Sequence, residues 1–326
     1  MIILTGGAGF IGSNIAADLN EAGRNDIVIV DHLGTDAKWR NIAKRRFADI
    51  VFPEEMSTYL EGLSGADAVI HMGANSSTTA TDGDEIIRSN LRFSTRLWDW
   101  CTRTSTPLIY ASSAATYGDG TGGFVDDDSD AALDQLHPLN LYGWSKHAFD
   151  KWALERARRG EAPPQWAGLK FFNVYGPNEA HKGDMKSLVA KNTPPILADQ
   201  VIKMFKSHKA GYADGEQLRD FVYVRDCTSV ISWLLQNPGV SGLFNLGTGR
   251  ARSFRDLMLA VGLAADRPVN FEFVDMPMSI RNQYQYFTQA DMKKLKSAGY
   301  EKPFYSLEEG VRDYVQNYLM RDDQYR

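Results

Sequence analysis

Apolar residues in this chain come in short, nearly continuous runs rather than in strict alternation. Ile2-Ile3-Leu4 forms the first and Ile27-Val28-Ile29-Val30 the second, with the run extending to Asp31. Others lie at 68–72, 107–112 and 167–174. Runs of this length, rich in Val, Ile and Leu, are what strands covered on both faces of a parallel sheet require. Longer stretches of mixed apolar and polar positions, 84–103 and 145–159, predict helices between them. Beyond Gly176 the pattern loosens at Pro177 and Pro194-Pro195. A helix is expected near 198–206, a strand at 219–224, a helix at 226–235, and a strand at 244–247 that returns to the sheet. An amphipathic helix is expected near 306–319. Pro194-Pro195 should interrupt any helix built across them, because proline lacks the N–H and crowds the preceding turn.

The first run ends in Gly6-Gly7-Ala8-Gly9-Phe10-Ile11-Gly12, and a helical pattern follows. Strand, Gly-x-x-Gly-x-x-Gly and helix form a dinucleotide cradle. Gly6 permits the tight turn, Gly9 lets backbone approach a pyrophosphate, and Gly12 lets helix and strand pack closely. Free N–H groups at the helix start face the phosphate charge. An acid, Asp31, stands at the end of the next strand, about 20 residues on, where such folds hold a ribose. These features predict an α/β fold: a Rossmann-type doubly wound parallel sheet with a smaller, mostly helical substrate-binding domain. Residues 1–176 plus about 219–250 make the NAD(P)-binding part. About 177–218 plus 251–326 make the other, the two being interleaved. Ligands in such sheets bind beyond the carboxyl ends of the strands.

Composition narrows the class. The chain is 43% hydrophobic and 24% charged, as globular proteins are, and its net charge of −5 gives no reason to expect a nucleic-acid partner. No apolar run approaches the roughly 18 residues of a membrane span, and the N-terminal run lacks the basic lead of a signal peptide. Cys101 and Cys227 are too few for a disulfide framework; two buried free thiols suit a reducing, cytoplasmic setting. The histidines (32, 71, 137, 147, 181 and 208) show no metal-ligand spacing, so no metal is expected.

Tyr142-Gly143-Trp144-Ser145-Lys146 puts a phenol and an ammonium on one helix face. A tyrosine near its usual pKa of about 10 is a poor base at neutral pH. A neighbouring cation favours the phenolate and makes it usable. Ser113, just past the strand 107–112, is placed to hydrogen-bond the same substrate oxygen.

The cradle, Ser113 and Tyr142-x-x-x-Lys146 resemble the extended short-chain dehydrogenase/reductase superfamily, whose members act largely on nucleotide sugars. Segments 5–14, 111–118, 172–177, His181-Lys182-Gly183, 219–224, 244–250 and 284–291 resemble the ADP-L-glycero-D-manno-heptose 6-epimerase family, the His-Lys-Gly and Phe-Thr-Gln-Ala-Asp stretches most specifically. The resemblance implies oxidation at C6 of an ADP-heptose to a transient ketone by tightly bound NADP, and re-reduction on the opposite face. It makes Tyr142 and Lys182 the two acid/base groups, with Lys146 and Ser113 assisting. It assigns to the cofactor Gly6, Gly9, Phe10, Ile11, Gly12, Asp31, His32, Lys38, Met72, Gly73, Ala74, Asn75, Ser76, Asn90, Tyr142, Lys146, Val174 and Lys182. It assigns to the substrate Ser113, Asn173, Asp184, Lys191, Tyr212, Arg219 and Tyr284, with Arg219 suited to a diphosphate. It further implies a homo-oligomer, a pentamer in the family, and a product that feeds lipopolysaccharide inner-core synthesis.

Two conflicts stand out. Asp31 favours NAD, whereas the family uses NADP; Lys38 and Arg40, with Lys44-Arg45-Arg46, are the cations that would offset a 2′-phosphate. The stretch 184–210 departs from the family, with Asp184 and Lys191 at contact positions. Three alternatives remain open on the residues alone. A nucleotide-sugar dehydratase would carry Asp-Glu at Ala114-Ala115. A UDP- or dTDP-hexose 4-epimerase would have no need of Lys182. A non-catalytic NAD(P)-binding protein would have no use for a polarised tyrosine.

Overall fold

A computed structural model describes residues 1–281 and 284–326. In chain order the strands are β1 (Ile2–Thr5), β2 (Ile27–Val30), β3 (Asp49–Val51), β4 (Ala68–His71), β5 (Leu108–Ser113), β6 (Trp166–Phe171), β7 (Asn173–Tyr175), β8 (Ile202–Phe205), β9 (Leu218–Tyr223), β10 (Gly242–Leu246), β11 (Ala251–Ser253) and β12 (Phe271–Val274). Seven of them form one sheet in the order β10-β6-β5-β4-β1-β2-β3, parallel throughout. This is the expected Rossmann-type sheet. The strand order reverses between β1 and β4, the switch point beyond whose carboxyl ends sheets of this kind hold their ligands.

Strand alternation sorts the continuous runs onto two faces. Ile2, Leu4, Ile27, Ile29, Ile70 and Ile109 pack against the helices Phe10–Glu21 and Val224–Gln236. Ile3, Val28, Val30, Val69, Leu108 and Tyr110 face the other way, onto Trp98, Cys101, Phe149 and Ala153. Each fully buried aliphatic side chain stabilises by roughly 1.5–3 kcal/mol, so the unbroken apolar runs are needed by both layers. A third core lies apart from the sheet and joins Tyr175, Val189, Ile196, Met204, Tyr223, Leu257 and Val311. Around it are two small sheets, β11-β9-β7 and β12-β8.

Five expectations are corrected. The segment expected to be a helix near 198–206 contains the strand β8, which pairs in parallel with β12. The pairing partner lies about seventy residues away in sequence, out of reach of a local pattern. Pro194 and Pro195 do not break the helix Leu188–Leu197 but lie inside its last turns. Their carbonyls still accept from Ala198 and Gln200, and the Thr193 and Asn192 side chains bond carbonyls one turn back. The run 167–174 is two strands, β6 and β7, and β7 leaves the main sheet to pair with β9. The helix 84–103 runs as Gly83–Ile86, a wider π turn Ile87–Arg92, and Phe93–Arg103. The helix expected at 145–159 starts earlier, Leu141–Arg158 with Asn140 as its cap, so Tyr142 sits in its first turn.

Candidate active site

Backbone geometry makes the cradle. Gly6 has φ +67°, and a Cβ there would stand 2.6 Å from the Gly73 nitrogen, so the loops after β1 and β4 touch. A Cβ on Gly12 would lie 2.1 Å from the Gly6 carbonyl oxygen. Gly9 caps the helix Phe10–Glu21 without a side chain, which leaves its first N–H groups facing the crevice. A cleft that any side chain would fill, rimmed by unpaired helix N–H groups, fits a pyrophosphate. At its far edge Asp31 accepts from the Ala8 nitrogen at 3.0 Å and the His32 nitrogen at 2.8 Å. Lys38 Nζ donates to Asp31 at 2.6 Å and to the His32 carbonyl at 2.7 Å.

One cavity of about 540 Å³ joins this cradle to the reactive side chains. Gly6, Gly9, Phe10, Ile11, Gly12, Asp31, Lys38, Met72, Gly73, Ala74 and Ser76 line one part. Ser113, Tyr142, Lys146, Asn173, Val174 and Lys182 line the rest. Tyr142 and Lys146 project from the helix Leu141–Arg158, and Ser113 ends β5. Burial pushes the Tyr142 phenol up, and a hydrogen bond from Ser113 opposes that by favouring the phenolate. Lys146 donates to the Ala111 carbonyl at 2.8 Å, and burial pulls it down to about 8 against the field of Asp150.

Lys182 comes from a different element, the turn Ala180–Met185. Its ammonium lies 5.1 Å from the centre of the Phe10 ring. Burial lowers its pKa, and the buried carboxylate of Glu179 opposes this. Glu179 accepts from Ser187 N at 2.6 Å and Ser187 Oγ at 2.5 Å, which clamps the turn, and Gly183 at φ +53° lets it double back. His181 Nδ1 receives the Asn41 amide at 3.1 Å and so ties this turn to the ribose edge.

Other sequence candidates stand elsewhere. The His32 ring points outward to Glu54 at 2.7 Å and stacks on Phe52; only its backbone belongs to the ribose edge. Asn90 is buried, and its side chain holds both backbone groups of Asn75, at 2.8 and 2.9 Å, while donating to Ser145 Oγ at 3.0 Å. It therefore braces the Asn75 loop against the helix that carries Tyr142. Asp184 and Lys191 are exposed off the cavity, with Lys191 Nζ on the Asp184 carbonyl at 2.5 Å.

Tyr212, Arg219 and Tyr284 assemble beside the cavity rather than in its wall. The Arg219 guanidinium is sandwiched 5.2 Å from the Tyr284 ring and 5.4 Å from Phe254, a cavity-lining residue. Tyr212 and Tyr284 both pack on Tyr286. Asp220 does not neutralise Arg219. Its carboxylate is taken by the nitrogens of Thr248, Gly249 and Ala290. Among the described residues this buried guanidinium has no carboxylate within ion-pair distance; its Nη1 donates to the Leu218 carbonyl at 2.8 Å, an arrangement open to an anion.

Sequence reasoning missed Phe171, Phe172, Phe221, Phe254 and Leu257 in the cavity wall, and Glu179 behind it. The first two adjoin the recognised Asn173; the others carry no local signal. Among the described residues no group of three or more His, Cys, Asp or Glu could hold a metal, and no helix is long and apolar enough to cross a membrane.

Comparison with known proteins agrees with this geometry. Residues 2–247 match the NAD dependent epimerase/dehydratase family. The chain is 51% identical over 326 residues to the ADP-L-glycero-D-manno-heptose-6-epimerase of Nitratidesulfovibrio vulgaris (strain DP4), covering 99% of each. It is 48% identical to the enzyme of that name from Fusobacterium nucleatum, covering all of both chains. The crystal structure of the Helicobacter pylori ADP-L-glycero-D-manno-heptose-6-epimerase superposes with a TM-score of 0.79 at 26% identity, over 97% of this chain and 95% of that one. The chain belongs to the NAD dependent epimerase/dehydratase family and, within it, to the ADP-L-glycero-D-manno-heptose-6-epimerases.

Proposed function

We propose that this protein interconverts the C6 epimers of ADP-glycero-manno-heptose. The observation that carries the reading is one cavity reached by two independent proton carriers, Tyr142 and Lys182, beside a dinucleotide cradle. When bound, the dinucleotide supplies a reversible hydride acceptor next to Tyr142. Tyr142 Oη takes the proton of the substrate hydroxyl, and the Ser113 hydroxyl orients the same oxygen. The Lys146 ammonium, held on the Ala111 carbonyl, favours the phenolate. Epimerisation requires the sugar to present its opposite face, and a second group must then handle the proton at the displaced oxygen. Lys182 Nζ has that role, since burial weakens its hold on a proton. Arg219 holds the diphosphate between Tyr284 and Phe254, and Asn173 meets the sugar.

The segments about 177–218 and 251–326 form the substrate side. The cofactor is NADP: Lys38 offsets Asp31 at the ribose edge and leaves an ammonium there for a 2′-phosphate. Releasing the nucleotide by denaturation and identifying it by chromatography tests this, and Lys38→Ala should move retention toward NAD by about tenfold. The protein works as a cytoplasmic homo-oligomer, and its product is a precursor of the lipopolysaccharide inner core; light scattering measures the assembly.

The decisive experiment incubates the protein with ADP-D-glycero-D-manno-heptose, without added cofactor, and follows the C6 proton by NMR. Approach to a mixture of both C6 epimers supports the reading. No conversion, with turnover of a UDP- or dTDP-hexose instead, replaces it with a 4-epimerase.

A further inference from the structure

Beneath the reactive side chains lies a second polar cluster that takes no part in the chemistry above. Asp150 follows Lys146 by one helical turn and Tyr142 by two, and its carboxylate is wholly buried. It accepts Ser112 Oγ at 2.6 Å and Tyr110 OH at 3.2 Å from β5, and Lys170 Nζ at 3.1 Å from β6. Lys170 is itself 1% exposed and also donates to Thr116 Oγ1 at 2.8 Å, with its ammonium 4.9 Å from the centre of the Tyr117 ring. Thr116 Oγ1 donates in turn to the Ser113 carbonyl at 2.8 Å. The network thus reaches both elements that carry Ser113, Tyr142 and Lys146, the strand β5 and the helix Leu141–Arg158. It touches Ser113 through Thr116, the strand of Ser113 through Ser112, and the helix of Tyr142 and Lys146 through Asp150.

A buried ion pair is a poor choice for stability alone, because hydrophobic residues of the same volume often do as well or better. It does supply direction, since each partner has a fixed set of acceptors or donors. It also supplies a fixed negative charge one turn from Lys146. We propose that Asp150, locked by Lys170, is a positioning residue that sets the placement of Tyr142 and Lys146 against Ser113 and keeps Lys146 charged.

The groups facing Asp150 are Lys170, Tyr110, Ser112 and, along its own helix, Tyr142, Lys146 and His147; Tyr117 lies over Lys170. Lys146 is faced besides by the buried imidazole of His71, which burial pulls down to about 3 and which is therefore neutral. The Asp150 carboxylate raises both Lys146 and Tyr142, and burial of Lys146 acts against it. Removing the carboxylate must therefore lower both. The ammonium loses a partner, and the phenolate loses a repelling charge.

This inference rests on the epimerase reading only for its kinetic consequence. The test uses full-length holoenzyme with isotope-labelled lysine, the Lys146 signal being assigned by its loss in Lys146→Arg. Asp150→Asn should move the Lys146 titration midpoint down by about one pH unit. It should carry the pH dependence of kcat in the same direction and lower kcat more than it raises KM. Because it strands the Lys170 cation, it should also lower the melting temperature by on the order of 5 °C. Asp150→Asn combined with Lys170→Met removes that stranded charge. It should recover the melting temperature while keeping the Lys146 shift, which a merely structural role would not do. An unmoved Lys146 midpoint in both variants overturns the proposal. If the unsubstituted protein too fails to turn over the ADP-heptose yet the shift is present, the positioning role stands and the substrate reading falls.

Discussion

The cofactor side and the substrate side of the proposed site are built differently. In the first, backbone does the work. Gly6, Gly9 and Gly12 make room, the first turn of Phe10–Glu21 supplies N–H groups, and each reactive side chain sits at the end of a strand or on one regular helix. In the second, side chains do it. Arg219 is held by aromatic rings from 254 and 284, and Lys182 stands on a short turn fastened by Glu179.

If that division is right, damage to the first half should abolish turnover and damage to the second should weaken or redirect it. Tyr142→Phe should lower kcat by about 10²–10⁴-fold while the dinucleotide stays bound, as absorbance of the purified protein would show. Loss of the nucleotide as well would mean that Tyr142 is part of the cradle. Lys182→Ala should cost about 10²-fold in epimer exchange with little change in melting temperature; unchanged exchange would remove the second proton carrier from the mechanism. Arg219→Ala should act on the other quantity, raising KM for the nucleotide sugar roughly 10–100-fold with kcat held within a few-fold. The smallest effect is on pH. Because burial brings Lys146 to about 8, kcat should fall as pH rises through that value, where the ammonium is lost. Lys146→Arg stays charged and should flatten this alkaline limb, at some loss of rate.

Much of the first half was legible from the chain. Continuous apolar runs can be buried only on both faces, so their number and spacing announced the parallel sheet, and glycines at three-residue spacing announced the turn that a Cβ would block. Tyr142 and Lys146 needed only helical periodicity to be placed together. The stretch 198–206 failed for the opposite reason. Ile202–Phe205 carries too few residues to declare a period, and its partner Phe271–Val274 is remote in sequence. The prolines at 194 and 195 misled because their cost depends on how soon the helix ends, and here it ends at Leu197, within a turn of them. Asp220 adjoins Arg219 in sequence, yet the strand turns the two to opposite sides and gives the carboxylate to three backbone nitrogens.

The sequence by itself determined what is local: the sheet, the cradle at Gly6–Gly12, the acid at the end of β2, and the Tyr142–Lys146 pair. Each follows from a period of two or 3.6 residues or from the steric demands of glycine. Only the tertiary structure decided which charges meet. It paired Asp31 with Lys38, set the Arg219 guanidinium between Tyr284 and Phe254, and buried Asp150 with Lys170 beneath the proposed reaction centre. The physical reason is that the energy of a charge depends on burial and on neighbours within a few ångströms, and those neighbours arrive from elements that the chain separates by tens or hundreds of residues.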